Sequence, residues 1–170
     1  MNNSGQQLKP SDVANSHENR GGQRLNRRFA FEADSDCLPM YVKRTLDRLA
    51  LKLGRGQWLS MTDRERASIG ELSTGSKQDC EAGKEMVREI LRRYGTEPTE
   101  LPQNVERLSD PRFELPAAVI ESSREVGVCL RQERWSELST DQRYALTKLV
   151  DPGKKNKRKR ALMEFLGVAR

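Results

Sequence analysis

The chain has 170 residues and a mass of 19.4 kDa, which is room for one ordinary domain with tails and too little for two full domains. Hydrophobic residues make up 35% of it and charged residues 33%, a balance typical of a small helical domain with a thin core or with disordered ends. No apolar run is long enough to cross a bilayer and the N-terminus lacks the apolar stretch of a signal peptide, so we expect a soluble, cytoplasmic protein.

The residue types used in common catalytic and metal sites are scarce. Cys37, Cys80 and Cys129 show no C-x-x-C spacing, so we interpret them as small buried hydrophobic residues. His17 is the single histidine of the sequence, and it falls in a polar segment. These observations disfavour a Ser-His-Asp or Cys-His catalytic group and a zinc hydrolase. We therefore predict no enzyme activity, no metal site and no cofactor.

The net charge of +6 is concentrated in two segments. Residues 1–28 carry +3 and are rich in Asn, Gln, Ser, Gly and Arg, which predicts a disordered polar tail. Residues 154–160, which we name the basic run, carry six positive charges and no negative ones. The remainder of the chain is then mildly acidic, at −3. The basicity is therefore local and is not a property of the whole fold.

Aromatic and polar residues alternate just after the tail, in Phe29-Ala30-Phe31-Glu32-Ala33-Asp34. This alternation predicts an extended stretch across a core, with Phe29 and Phe31 pointing inward. Glu32, Asp34 and Asp36 suggest a cation site, but they lack the glycine and the distal glutamate of a calcium loop. A polar start to the following helix is the favoured interpretation.

The first predicted helix begins near Pro39, a residue suited to the first helical turn. Apolar residues then fall at steps of four, three and four, which predicts one buried stripe: Val42, Leu46, Leu49 and Leu53. Cys37 just before this helix is interpreted either as a thiolate activated by the helix N-terminus or as a buried structural cysteine, and the structural role is favoured.

Residues 38–72 match residues 115–149 at a constant offset of 77, without gaps. Seven of the 35 pairs are identical: Leu38/Leu115, Pro39/Pro116, Val42/Val119, Leu53/Leu130, Trp58/Trp135, Arg66/Arg143 and Leu72/Leu149. These positions fix helix ends and faces, so we predict an internal duplication in which each half contains a helix, a turn and a helix. The stripe of the first helix recurs in weaker form as Val119, Ser123, Val126 and Leu130.

A capping box opens the second helix of each half, as Thr62-Asp63-Arg64-Glu65 and as Ser139-Thr140-Asp141-Gln142. In such a box a hydroxyl and a carboxylate or amide satisfy backbone donors that otherwise lack partners, so both helices receive a definite start. Trp58 and Trp135 precede the boxes by four residues, and we predict that they fill the corner between the two helices. Together with Tyr144, they are expected in the core rather than on a binding platform.

A third helix completes each half. Its apolar face is predicted from Met86, Val87, Ile90, Leu91 and Tyr94 before Gly95, and from Leu162, Met163, Phe165 and Leu166 between Pro152-Gly153 and Gly167. Residues 95–114 carry three prolines, which predicts a linker with at most a short helical turn. We expect an all-α fold of about six helices in two pseudo-repeated helix-turn-helix groups, residues 29–95 and 111–170, packed as one compact domain over 29–170.

Two blocks of motifs lie far apart in the sequence. The first is Phe29-x-Phe31-Glu32-x-Asp34 with Cys37-Leu38-Pro39-Met40, Val42, Lys43 and Leu46-Asp47; the second is Trp135-Ser136-x-Leu138, Gln142-Arg143-Tyr144-Ala145-Leu146-x-Lys148-Leu149 and Pro152-Gly153. In this combination, over roughly residues 29–166, the chain resembles the bacterial nitrate reductase-associated protein family. The resemblance implies a role in making or supporting an active assimilatory molybdenum nitrate reductase. It implies the reductase or its molybdenum-cofactor machinery as the partner, and no catalytic residues.

The basic run is the candidate anion-binding or partner-binding site, with Lys154, Lys155, Lys157, Arg158, Lys159 and Arg160. Three interpretations are open: a solvated helix face, a surface for an acidic protein, or a site for nucleic acid or a phosphate-bearing cofactor. Tyrosine and phenylalanine do not interleave with the run, so stacking of single-stranded nucleic acid is unsupported. The expected function is that of a non-catalytic accessory protein, and the alternative is a nucleic-acid-binding regulator that uses residues 154–160.

Overall fold

The computed structural model describes residues 28–33, 36–102 and 114–167. In these ranges the chain forms α1 (Met40–Arg48), α2 (Arg55–Ser60), α3 (Asp63–Gly70), α4 (Lys77–Arg92), α5 (Ala117–Arg124), α6 (Gln132–Glu137), α7 (Thr140–Lys148) and α8 (Lys155–Leu166). Two 3₁₀ turns cover Ala30–Glu32 and Pro152–Lys154, and strands β1 (Leu51–Lys52) and β2 (Thr99–Glu100) pair in antiparallel fashion. The predicted all-α class is confirmed. The described helices exceed the expected six because each tryptophan lies on a short helix of its own.

The helices of the two halves recur at the offset found in the sequence. The helices α1 and α5 begin 77 residues apart, as do α3 and α7, and α2 and α6 correspond at both ends. The third helices, α4 and α8, begin at Lys77 and Lys155, an offset of 78, which agrees with the expectation that they do not follow the same ungapped alignment. The residues paired in the sequence therefore occupy equivalent positions in the fold.

The first helix of each half is shorter than its predicted stripe. Leu53 and Leu130 were expected on these helices, but α1 ends at Arg48 and α5 at Arg124. The chain leaves both helices through a left-handed residue, Ala50 with φ of 51° and Gly127 with φ of 80°, and these two residues are 77 apart. Both leucines are buried all the same, because the turn directs them back to the core.

The left-handed turn gives a matched stability test. Substitution of Gly127 with alanine is expected to lower the free energy of unfolding by about 1 kcal/mol, because alanine adopts positive φ only at a cost. Gly56 in α2 is the control, since an alanine there suits the helix and is expected to raise the free energy of unfolding by about 0.5 kcal/mol. A Cβ at either site meets nothing within 4 Å, so urea unfolding compares backbone conformation alone. Equal shifts in the two variants would contradict the assignment.

The segment before α1 forms a 3₁₀ turn, and the prediction of an extended stretch is wrong. The carboxylate of Glu164 in α8 accepts the backbone N–H groups of Ala30 and Phe31, at 2.9 Å each. Both donors therefore converge on one side chain, which an extended strand does not allow. Phe31 is buried and Phe29 is half-buried, and both rings contact Phe165, so their predicted inward orientation is confirmed.

The predicted linker contributes a strand. Thr99 and Glu100 pair with Lys52 and Leu51, and the N–H of Leu101 donates to the carbonyl of Ala50 at 2.7 Å. The prediction of at most a helical turn is therefore wrong for this part of residues 95–114.

Residues 103–113 lie outside the described residues, as do Asp34 and residues 1–27 of the predicted tail. Of the predicted apolar face of α4, Val87, Ile90 and Leu91 are buried. Tyr94 lies just beyond the end of the helix at Arg92 and is half-buried, and Met86 is 43% exposed.

Each half builds a core of its own. The first core includes Leu38, Val42, Leu46, Leu49, Leu51, Leu53, Trp58, Met61, Ile69, Val87, Ile90 and Leu91. The second includes Phe31, Met40, Val119, Leu130, Trp135, Leu138, Tyr144, Ala145, Leu146, Leu149, Ala161 and Leu162. Phe31 and Met40 come early in the chain yet pack in the second core. The start of the first half is therefore built into the second half, and both tryptophans are core residues as predicted.

Polar contacts between α1 and α7 join the two halves. The hydroxyl of Tyr144 donates to Asp47 at 2.7 Å, and the ammonium group of Lys148 lies 2.7 Å from the same carboxylate oxygen. Nearer the surface, Arg44 pairs with Asp141 at 2.8 Å. Asp47 and Tyr144 are both buried, so their interaction takes place away from bulk water. These contacts fix how α1 lies on α7.

The arginines that match in the two halves hold the short tryptophan helices. Arg66 donates to the carbonyls of Trp58 and Leu59, each at 2.9 Å. Arg143 donates to the carbonyl of Leu138 at 2.9 Å. These carbonyls lie at the C-terminal ends of α2 and α6, where helices leave acceptors without intrahelical partners. An arginine at both matched positions, 66 and 143, therefore has a structural reason.

Both predicted capping boxes are confirmed. The hydroxyl of Thr62 accepts from the N–H of Glu65, whose carboxylate accepts from the N–H of Thr62 at 2.8 Å. Ser139 and Gln142 repeat the arrangement, at 2.8 Å for the amide oxygen. Glu65 also accepts from the hydroxyl of Tyr94 at 2.6 Å. That hydrogen bond, followed by the one from Thr62, lowers the pKa of Glu65 to about 2.

The lowered pKa of Glu65 predicts an acid-sensitive contribution to stability. An unfolded glutamate titrates near 4.5, so the folded carboxylate stabilises the protein above that pH, and this contribution is lost as the pH falls towards 2. We expect Glu65→Gln to lower the free energy of unfolding at pH 6 by about 1 kcal/mol and to lose less stability than the native chain on acidification. Urea unfolding across this range measures both. Identical pH dependence in the two chains would contradict the contribution.

Candidate functional site

The basic run forms the end of the second 3₁₀ turn and the first half of α8. Its cations do not share one environment. Lys154, Lys155, Lys159 and Arg160 are exposed, and Lys157 is half-buried. Arg158 is 1% exposed. Of the six cations in the basic run, five therefore lie at or near the surface and one is inside the protein.

Arg158 is a structural residue of the second half. One guanidinium nitrogen donates to the carbonyls of Leu149 at 2.8 Å and Val150 at 3.1 Å, just beyond the end of α7. The other nitrogen donates to the carboxylate of Glu125 at 2.6 Å, at the end of α5. Arg158 thus ties three helices together. It does not belong to the surface that the other cations present, and we leave it out of the proposed site.

The N-terminus of α8 carries unusual charges for a helix start. Acidic residues are absent from its first turn, and no side chain hydrogen-bonds as a cap at Lys154, among the described residues. By contrast, Ser76 caps α4 by accepting from the N–H of Asp79 at 3.0 Å, and Asp79 lies in the first turn. Cations at a helix N-terminus oppose the helix dipole at about 0.3–1 kcal/mol each. The start of α8 therefore favours a negatively charged neighbour. One carboxylate precedes it, that of Asp151, which caps the 3₁₀ turn by accepting from the N–H of Gly153 at 2.9 Å.

A cavity of about 590 Å³ lies between α1 and the start of α8, and we name it the lysine pocket. Its wall includes Lys43 of α1 and three lysines of the basic run, Lys154, Lys155 and Lys157. Apolar side chains of both cores complete the wall: Phe31, Leu38, Met40 and Leu149. The pocket therefore combines a cluster of ammonium groups with an apolar surface.

The two motif blocks meet at the lysine pocket. Cys37, Leu38 and Met40 come from the first block, and Pro152 and Gly153 come from the end of the second. Met40 and Pro152 are more than one hundred residues apart in the sequence, and the packing of α1 beside the start of α8 brings them together. The residues that carry the family resemblance are thus partly the residues that build this pocket.

Glu32 supplies a carboxylate to the pocket wall and caps α1. It is 6% exposed, and its two oxygens accept the N–H groups of Met40 at 2.9 Å and Phe29 at 3.2 Å. The interpretation of Glu32 as the polar start of a helix is confirmed. Burial raises its pKa above the ordinary value. Asp36 is exposed and pairs with Arg55 at 3.3 Å.

Lys43 is the site residue that sequence reasoning omitted from the basic cluster. Burial lowers its pKa, and the charges of Lys154 and Lys157 lower it further, while Cys37 and Glu32 act in the opposite direction. The ammonium group of Lys43 is therefore within electrostatic reach of the basic run. The sequence signal was its position in the first motif block, but a lone lysine in α1 does not indicate that α8 packs nearby.

The three cysteines differ in exposure. Cys37 and Cys80 are half-buried, and Cys37 lies on the wall of the lysine pocket. Cys129 is exposed, so the prediction that all three are buried is wrong for this residue. Its position follows Gly127 in the left-handed turn after α5, which directs the chain outward before Leu130 returns to the core.

In the described part of the chain, no three or more His, Cys, Asp and Glu side chains are grouped closely enough to hold a metal ion. Likewise, none of the helices in residues 28–33, 36–102 and 114–167 has the length and apolar character needed to cross a membrane.

Comparison with known families places the chain. The model of a family described as conserved nitrate reductase-associated protein matches residues 28–165. Neither the curated proteins nor the solved structures gave a match. The matched region runs from the first 3₁₀ turn almost to the end of α8, and it includes every residue that lines the lysine pocket. The chain therefore belongs to the nitrate reductase-associated family.

Proposed function

We propose that the chain is a non-catalytic accessory protein of an assimilatory molybdenum nitrate reductase. It supports maturation, cofactor loading or stability of the enzyme through direct contact with the reductase or with its molybdenum-cofactor machinery, in the cytoplasm. The observation that carries the proposal is the family match over residues 28–165, because the family is named for its association with nitrate reductase.

The exposed lysines of α8 are the proposed contact with the partner. Lys155 and Lys159 are four residues apart and therefore lie on the same face of the helix. Both are exposed, and the body of the chain outside the two basic segments is acidic. An acidic surface on the partner would match this local positive face and would steer its approach.

The alternative function, binding of nucleic acid, is supported less well by the described residues than a protein partner is. A recognition helix needs exposed basic or amide groups that reach the bases. In α7 the basic residues Arg143 and Lys148 contact the carbonyl of Leu138 and the carboxylate of Asp47. Arg158, the central arginine of the basic run, is buried. These engagements favour a protein partner.

Copurification with charge-matched variants tests the proposal. The full chain is used to capture proteins from nitrate-grown cells, and nitrate reductase or a molybdenum-cofactor protein is expected to copurify. Lys155→Glu combined with Lys159→Glu is expected to lower the amount of copurified partner by most of its value. The control is Lys52→Glu combined with Lys77→Glu, which changes two exposed lysines of the first half. Equal loss in both variants, or capture of nucleic acid instead, would contradict the proposed contact.

A further inference from the structure

The lysine pocket has the size and composition of a ligand site. Its volume of about 590 Å³ falls within the range typical of pockets for small organic molecules, about 300–1,000 Å³. Such pockets are mostly apolar and hold a few convergent polar groups. Here Phe31, Leu38 and Met40 supply apolar wall, and the lysines supply the polar groups.

The charge of the pocket is strongly positive. Lys43, Lys154, Lys155 and Lys157 all line it, and the charges of Lys154 and Lys157 act on Lys43. Glu32 is the one carboxylate among the described lining residues, and both of its oxygens already accept backbone N–H groups. The ammonium groups repel one another, so an anion that enters the pocket relieves this repulsion as well as binding to them.

The start of α8 adds backbone donors. Lys155, Asn156 and Lys157 are the first residues of the helix, and all three line the pocket. The first N–H groups of a helix favour phosphate because they lack intrahelical acceptors. The N–H of Lys155 already donates to the carbonyl of Pro152 in the preceding 3₁₀ turn, so the donors offered to a ligand are those that follow it. Lys154 is anchored at the rim, because its ammonium group donates to the carbonyl of Lys148 at 3.2 Å.

We propose that the lysine pocket binds a small organic phosphate. The phosphate group is held by Lys43, Lys157 and the N-terminus of α8, and the organic part packs on the apolar wall. A phosphate suits this wall better than a carboxylate because it carries more charge and more acceptor oxygens for several lysines. The inference goes beyond the proposed accessory function and is tested on the purified chain alone.

Three matched probes distinguish the contribution of the apolar wall from that of the lysines. Calorimetric titration of the full chain uses 1-naphthyl phosphate, inorganic phosphate and 1-naphthol at one ionic strength. We expect 1-naphthyl phosphate to bind about tenfold more tightly than inorganic phosphate and 1-naphthol to show no measurable binding. Equal affinity for the two phosphates would show that the apolar wall takes no part, and this result or the absence of binding would overturn the proposal.

Charge variants locate the binding site. Lys43→Gln combined with Lys157→Gln is expected to weaken binding of 1-naphthyl phosphate about tenfold or more. Lys159→Gln is the control, because Lys159 is exposed and does not line the pocket. Equal weakening in the control would show diffuse attraction by surface charge and would overturn the pocket. If generic duplex DNA competes for the chain as well as 1-naphthyl phosphate does, the proposed pocket is also overturned and nucleic-acid binding is favoured.

A second variant and a footprint cover the case in which the first variant fails to fold. Lys154→Gln combined with Lys155→Gln changes two exposed lysines of the pocket rim and is also expected to weaken binding. In the native chain, 1-naphthyl phosphate is expected to slow alkylation of Cys37 on the pocket wall and to leave that of exposed Cys129 unchanged. Unchanged alkylation of Cys37 at saturating probe would overturn the proposed location.

Discussion

Substitution of Arg158 with methionine is expected to lower the free energy of unfolding by about 3 kcal/mol. Methionine keeps much of the apolar stem but removes every hydrogen bond of the guanidinium group. The carbonyls of Leu149 and Val150 then lose a donor, and Glu125 loses its partner at 2.6 Å. Since α5, α7 and α8 meet at this side chain, the whole second half is affected. Urea unfolding monitored by circular dichroism measures the loss.

The neighbouring residue is the control for Arg158. Lys159→Met also replaces a cation of the basic run, but Lys159 is exposed. This substitution is therefore expected to change the free energy of unfolding of the protein by less than about 0.5 kcal/mol. If both variants are as stable as the native chain, the buried hydrogen bonds of Arg158 contribute nothing and its assignment as a structural residue is wrong. Deletion of residues 154–160 is a poor test of partner binding, since it removes Arg158 as well.

Substitution of Asp47 with alanine is expected to cost about 3 kcal/mol of unfolding free energy, because it leaves Tyr144 and Lys148 without their shared acceptor. Burial, followed by the charge of Asp47, raises the pKa of Tyr144, so the hydroxyl stays protonated and remains a donor. Tyr144→Phe removes one of the two donors and is expected to cost about 1.5 kcal/mol. The double variant is expected to cost less than the sum of the single ones.

A second ion pair between the same helices is the control for Asp47. Arg44 and Asp141 also join α1 to α7 at 2.8 Å, but the side chain of Asp141 is 44% exposed. Asp141→Ala is therefore expected to cost less than about 1 kcal/mol. If Asp47→Ala and Asp141→Ala cost the same, or if the effects of Asp47→Ala and Tyr144→Phe add in full, the buried network does not join the two halves as described.

Local features of this fold were predictable from the sequence. The capping boxes at Thr62 and Ser139 are confirmed because a cap depends on residues three apart, which the sequence displays directly. The burial of Trp58 and Trp135 is confirmed for a similar reason, since each lies near such a cap in an otherwise polar stretch. The offset of 77 then placed equivalent helices in the two halves.

Features that depend on contacts distant in sequence were not predictable. The ends of α1 and α5 depend on the left-handed conformation of Ala50 and Gly127, and alanine gives no such signal. The turn at Phe31 depends on Glu164, which lies 133 residues away. The lysine pocket depends on Lys43 of α1 packing beside α8. A count of charges along the basic run likewise did not separate buried Arg158 from its exposed neighbours.

Nitrate reductase activity in cells that lack this chain tests the accessory role most directly. Activity and bound molybdenum are measured per molecule of reductase polypeptide, in cells grown on nitrate with and without the chain. We expect both values to fall when the chain is absent and to return with the native chain or with the control variant Lys52→Glu and Lys77→Glu. Unchanged activity and molybdenum content in its absence would contradict the proposed function.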